Sequence, residues 1–169
     1  MVLNLSLSGM PYCGCDLGGF WGDPSYDLVC RYYEMAVLFP LYRNHRIKNG
    51  KDNEPFRMPP IYTEMIRRAI TLRYQFLPYL RELANEAHTS GHPIIRPLVY
   101  DFPEDREALY IDDEYMAGHN VVVARQMDGR PGRDFYLPHG TWKEYASGRE
   151  MAGRRWYWSD DNIPIFIRV

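Results

Sequence analysis

Residues 62–88 read YTEMIRRAITLRYQFLPYLRELANEAH, and apolar side chains fall at Ile66, Ala69, Ile70, Leu77, Leu80, Leu83, Ala84 and Ala87. That spacing marks one stripe of a long amphipathic helix. Gly91 is its stop, with Pro93 beyond it. Pro78 lies inside the stripe. It removes one backbone hydrogen bond and crowds the preceding turn, which predicts a bend and not a break. After Gly91 the pattern changes to short, period-two runs at 94–100, 120–124, 133–137, 142–145, 155–158 and 163–168, separated by turns such as Asp128-Gly129-Arg130-Pro131-Gly132. The last third therefore reads as all-β, in the form of a sandwich. A helix-bearing part followed by a strand-only part predicts two domains, 1–103 and 104–169, joined through the acidic stretch 103–113, which suits an exposed connection.

Ahead of the long helix, residues 28–39 have near-helical apolar spacing and stop at Pro40, with Asp23 or Ser25 available as a cap. The stretch 42–60 is rich in Asn, Lys, Gly and Pro, and it is long enough to be a functional loop or an insertion. Residues 2–8 alternate apolar and polar side chains, which by pattern alone reads as a strand, and a Gly9-Met10-Pro11 break precedes the apolar pair Tyr12-Cys13.

Composition narrows the function classes. With 169 residues and 46% hydrophobic content the chain can build a sizeable core. Lys+Arg 20 against Asp+Glu 22 leaves a net charge of −2, so there is no excess of cations to track a phosphate backbone, and no nucleic acid partner is expected. No run approaches the roughly 18 apolar residues of a membrane span, and the first residues lack the basic segment of a signal peptide, so the chain as written predicts a soluble, cytoplasmic protein with no membrane partner. The three cysteines, Cys13, Cys15 and Cys30, are odd in number, and Cys13-Gly14-Cys15 sets its thiols too close for the usual zinc spacing. They read as idle thiols, with no metal centre and no cofactor implied. Aromatics reach 15%, with 14 Tyr and 4 Trp. Flat rings are what the apolar face of a pyranose stacks on, although aromatic-rich cores share this signature.

Four stretches, in order, carry a family resemblance: Gly14-Cys15-Asp16-Leu17-Gly18-Gly19-Phe20; Phe39-Pro40-Leu41-Tyr42-Arg43-Asn44-His45; Leu72-Arg73-Tyr74-Gln75-Phe76-Leu77-Pro78-Tyr79-Leu80 together with Arg96-Pro97-Leu98; and Tyr136-Leu137-Pro138-His139-Gly140-Thr141-Trp142. Together they resemble glycoside hydrolase family 31, the α-glucosidase and α-xylosidase type. The resemblance implies a fold of class α/β plus all-β: the last two strands and helices of a (β/α)8 TIM barrel followed by a β-sandwich, truncated at both ends. It makes 12–15 the seventh barrel strand, 94–100 the eighth, and 1–8 the end of a helical connection, which overrides the alternation reading of that segment. It also implies retaining hydrolysis by two carboxylates about 5–5.5 Å apart. In the family both are aspartates on earlier strands, so no catalytic residue is expected in this chain.

By the same resemblance Asp16 lines the subsite of the terminal sugar, His45 reaches a hydroxyl of that sugar, and Phe20 walls the pocket, with Trp21 beside it as a stacking surface. Arg31, Arg43 and Arg96 are expected as supporting cations, with Arg43 holding the loop of His45 and Arg96 on the eighth strand. His88 and His92 flank the end of the long helix, and a metal reading there needs further ligands that the sequence does not supply. Two departures from the family pattern stand out: Tyr32-Tyr33-Glu34 where a Trp commonly follows Arg31, and Ala124-Arg125-Gln126 where an apolar strand end with Pro is usual. The expected partners are an α-linked glycoside, and the missing N-terminal half of the enzyme or a second copy of the chain. The alternative to a piece of a hydrolase is a non-catalytic interaction subunit that completes a split enzyme.

Overall fold

The structure is a computed structural model that describes residues 1–125, 127–161 and 163–169. The chain opens with helix α1 (Val2–Leu7), the connection implied by the family and not the strand suggested by alternation. Six residues of alternating character satisfy a helical stripe as easily as a pleat. Strand β1 (Gly14–Asp16) follows, then helix α2 (Tyr26–Met35) with a 3-10 turn at Ala36–Leu38. Ser25 caps α2, its Oγ accepting from the Leu28 N–H at 3.2 Å. Strand β2 (Leu41–Arg43) pairs parallel with β1, Gly14 opposite Leu41 and Asp16 opposite Arg43.

This pairing corrects one expectation. The partner of the seventh-strand segment is Leu41–Arg43. Residues 94–100 instead form β3 (Ile95–Arg96) and the short helix α4 (Leu98–Asp101), and β3 pairs antiparallel with β4 (Tyr115–Ala117). A parallel strand needs a crossover helix, and α2 between β1 and β2 supplies it. Arg96 therefore belongs to the C-terminal sheet, which runs across the expected boundary at 103/104. The acidic stretch is exposed over most of its length but anchored at three points: Asp105, Ala108 and Ile111 are buried in it, and the Asp105 carboxylate accepts from the Tyr136 hydroxyl at 2.9 and 3.0 Å.

Helix α3 (Pro60–Ser90) is continuous through Pro78 and ends at Gly91 with φ +76. Its buried side chains include Ile66, Ala69, Phe76, Leu80, Leu83 and Ala87, largely the stripe read from the sequence. No helix is long and apolar enough to cross a membrane among the described residues.

Strands β5 (Val121–Val123), β6 (Arg133–Leu137), β7 (Thr141–Glu144), β8 (Glu150–Ala152), β9 (Arg155–Ser159) and β10 (Ile165–Arg168) complete the chain. The larger sheet has order β3-β4-β5-β10-β7-β8, and β6 pairs with β9 in a second, two-stranded sheet. Strands β4 and β5 and the start of β10 are buried on both faces, whereas β7 and β8 leave one face exposed. Tyr115, Val123 and Ile165 lie side by side across three strands and join the core formed by α2 and α3. Met116, Val122 and Phe166, one residue along, face the other way into the core shared with β6. There Phe135 stacks on Phe166 at 4.5 Å between ring centroids.

Hydrogen bonds tie the helical part to this sheet. Tyr115 donates its hydroxyl to the Met35 carbonyl at 2.7 Å, Tyr79 to that of Ala117 at 2.8 Å, and Ser6 to that of Ile95 at 2.6 Å. The two departures from the family pattern meet at the same junction. Glu34 on α2 and Arg125 after β5 form a buried ion pair, Arg125 Nε to Glu34 Oε2 at 2.8 Å. Burial pushes the Glu34 carboxyl up, opposed by the Arg125 guanidinium. A buried carboxylate of this kind is tolerable only with such a partner, so the two unusual residues account for each other.

Candidate functional site

Parallel strands joined by helices gather ligand-binding residues at their carboxyl ends. Asp16 is the last residue of β1 and Arg43 the last of β2, and their register sets them side by side. Arg43 donates to Asp16 Oδ1 from Nε at 2.9 Å and from Nη2 at 2.6 Å. The Asp16 side chain is 17% exposed and that of Arg43 53%. Oδ1 is thus committed to the guanidinium, while Oδ2 has no hydrogen-bond partner among the described residues. The backbone after Asp16 turns immediately, with Gly19 N–H bonding the Asp16 carbonyl at 2.8 Å and Leu17 N–H the Arg43 carbonyl at 2.9 Å.

That turn delivers Phe20 to the loop that follows β2. The rings of Phe20 and His45 stack at 5.6 Å between centroids and 22° between planes, and Ile47 N–H bonds the Phe20 carbonyl at 3.1 Å. Both rings are exposed, and Trp21 is exposed further, at 77%. A carboxylate oxygen, an imidazole and aromatic faces therefore lie together at the carboxyl ends of β1 and β2, the donors, acceptors and flat surface that a sugar ring requires.

The loop of residues 44–53 is held by side chains that sequence reasoning did not single out. Asn44 Nδ2 donates to the Tyr33 hydroxyl at 2.9 Å and to the Asn53 carbonyl at 2.8 Å. Burial pushes the Tyr33 phenol up, so it stays protonated as a neutral strut. Arg46 bonds the carbonyls of Gly22 and Lys51 and pairs with Asp23 at 3.2 Å, joining the segment after Phe20 to the loop after His45. Asp23 also accepts from Lys51 N–H at 3.2 Å, and that bond, with the Arg46 contact, holds its carboxyl below the usual range. Asn44 sits inside the motif that carried the resemblance, Asp23 had been read only as a possible helix cap, a role that Ser25 takes, and Arg46 had no signal in the sequence. Arg43 was expected to hold the His45 loop; in the structure its partner is Asp16.

The remaining expected cations lie elsewhere. Arg31 pairs with Asp27 on its own helix and donates to the Met127 carbonyl at 3.2 Å, fastening α2 to the segment after β5. Arg96 is fully buried, with Nε on Asp101 at 2.7 Å and Nη1 on the Pro93 carbonyl at 3.0 Å. A cleft of about 420 Å³ is lined by residues 44–47 and 49–56, His45 included, while Asp16 and Phe20 are not in its wall. Neither β1 nor β2 has a second neighbour among the described residues. The three cysteines are free, and burial pushes each thiol up, Cys30 to about 12.

Comparison with known proteins agrees with this geometry. Residues 1–83 match the model of the glycosyl hydrolases family 31 TIM-barrel domain, and residues 91–169 that of the family 31 C-terminal domain. An α-glucosidase of Saccharolobus solfataricus is 42% identical over 99% of this chain and 25% of its own length. Neutral α-glucosidase C of Mus musculus is 36% identical over 99% of the chain and 19% of its own length. Among solved structures, a family 31 α-xylosidase from a soil metagenome, complexed with xylose, superposes with a TM-score of 0.91 at 29% identity, covering 99% of this chain and 29% of that one. The Flavobacterium johnsoniae family 31 dextranase complexed with glucose gives 0.92 at 30% identity, covering 98% of this chain and 22% of that one. The chain spans about a quarter of the length of these relatives.

Proposed function

The chain belongs to glycosyl hydrolase family 31, and from that premise we propose that it forms the closing part of the catalytic barrel, and the adjoining sandwich, of a retaining α-glycosidase of the α-glucosidase type. In this reading the chain contributes the subsite for the terminal sugar. Asp16 Oδ2 accepts a hydroxyl hydrogen, His45 bonds a neighbouring hydroxyl, and Phe20 with Trp21 offers the ring faces. Arg43 is a positioning residue that fixes the Asp16 carboxylate across the two strands.

The observation that carries the proposal is the in-register Asp16–Arg43 pair beside the Phe20–His45 stack, at the carboxyl ends of two parallel strands. The nucleophile and the general acid/base are assigned to strands other than β1 and β2, because eight strands close a barrel of this kind and two do not. Retaining hydrolysis needs two carboxyl groups about 5–5.5 Å apart across the scissile bond. Asp16 is read instead as a sugar-binding carboxylate, with Oδ1 held by Arg43 and Oδ2 left for a hydroxyl. The compartment and the glycoside preference are properties of the whole protein. Relatives named for α-glucosidase and α-xylosidase activity make α-glucosides and α-xylosides the substrates to try first.

The test is steady-state kinetics of the intact enzyme on a chromogenic α-glucoside and the matching α-xyloside. Asp16→Ala is expected to lower kcat/KM about 100-fold or more, because a sugar hydroxyl loses a charged acceptor in a water-poor pocket. His45→Ala is expected to lower it by roughly 10-fold, as loss of a neutral hydrogen bond does. Kinetics within twofold of wild type for both variants would assign these residues to loop structure alone.

A further inference from the structure

The end of α3 carries a cluster that the sugar site does not use. Glu86 lies in the last turns of the helix, His92 just beyond Gly91, and His119 in the turn between β4 and β5. Gly118, at φ +58, lets that turn press against the helix: a Cβ there would meet Leu83 Cδ2 at 2.4 Å and the Tyr79 hydroxyl at 2.6 Å. One ligand atom from each of Glu86, His92 and His119 lies within 4.8 Å of the other two. His119 Nε2 is 3.2 Å from Glu86 Oε1, and His119 Nδ1 contacts Asp101 Oδ1. Asp101 in turn accepts from the buried Arg96 at 2.7 Å, and His92 Nδ1 is 2.8 Å from the Tyr100 hydroxyl.

We propose that Glu86, His92 and His119 bind one divalent first-row transition metal ion, zinc being the representative, which ties the end of the long helix to the C-terminal sheet. Two imidazoles and one carboxylate suit zinc and its neighbours, and not calcium or magnesium, which take oxygen ligands. Zinc bonds of about 2.0–2.1 Å place tetrahedral ligand atoms about 3.3 Å apart. The Glu86–His119 pair already has that separation, at 3.2 Å, and rotation of His92 closes the rest. Nδ1–H of His119 then donates to Asp101, the carboxylate–histidine–metal arrangement that fixes the tautomer and orients the ring. Arg96 and Tyr100 hold Asp101 and His92 in turn, so each metal-facing imidazole has a second support. The His119 side chain is 49% exposed, so an ion enters without opening the core and water takes the fourth position.

The intact protein, stripped with a chelator and dialysed, is titrated with zinc chloride by calorimetry, and its thermal unfolding is followed with and without zinc. Wild type is expected to bind with a dissociation constant on the order of micromolar and to unfold several degrees higher in saturating zinc. His92→Ala and His119→Ala should each lose one zinc equivalent or weaken it at least tenfold, and should lose the zinc-dependent shift. Without metal both variants should unfold within a few degrees of wild type, since both side chains are partly exposed; should one fail to fold, the other and the wild-type titration still decide. Wild type that binds no zinc, or binding undiminished in either replacement, would overturn the assignment.

Discussion

Burial pushes the carboxyl of Glu114 up to about 8, against the Tyr136 N–H at 2.8 Å and the Arg133 guanidinium at 3.2 Å that both reach its Oε1. Its Oε2 has no hydrogen-bond partner among the described residues. Between the ordinary value of 4.5 and about 8 the folded state keeps a proton that the unfolded chain has lost. The native state then binds more protons, and stability falls as pH rises through that window. The unfolding midpoint should therefore drop by several degrees between about pH 5 and pH 8, and Glu114→Gln, neutral throughout, should remove most of that drop. Thermal unfolding of the two proteins across this range checks it; parallel curves would show that Glu114 does not carry the dependence. Single residues were named by the motifs, as Asp16 and His45 were. Pairings across space were not legible. Asp16 and Arg43 are 27 residues apart and Glu34 and Arg125 are 91 apart, and only strand register and helix packing bring them together.

Among the elements, α3 was legible because 31 residues of one stripe leave little room for another period, and Gly91 announced its end. Its left-handed φ of +76 has open space where a Cβ would stand, so Gly91→Ala tests conformation alone. It should destabilise by about 1 kcal/mol, and Gly91→Asn by less, since asparagine tolerates this conformation. Denaturant titration measures both, and an alanine variant as stable as wild type would show that the cap is not held. The short strands were legible only in part. Tyr115-Met116-Ala117 of β4 is buried on both faces, so it shows no alternation, and β8 has three residues, too few for any period. The strand expected at 94–100 forms only at Ile95–Arg96 and gives way to a helix at Leu98, and pattern cannot tell which sheet a strand joins; this one joined the C-terminal sheet.

At the scale of the molecule, β1 and β2 form a two-stranded parallel sheet with no further strand neighbour among the described residues, next to a sandwich that builds its own core. In the proposed reading such an arrangement presents the sugar-binding side chains, and its strand edges suit the rest of a barrel. In the proposed function this chain holds the sugar while other strands supply the chemistry. The most direct measurement compares hydrolysis of a chromogenic α-glucoside and α-xyloside by the purified chain alone with hydrolysis by the same chain assembled with a polypeptide carrying the remaining barrel strands. No turnover is expected from the chain alone, and turnover is expected from the assembly, lost again when Asp16 is replaced by alanine. Turnover by the chain alone that copurifies with the folded protein would contradict it.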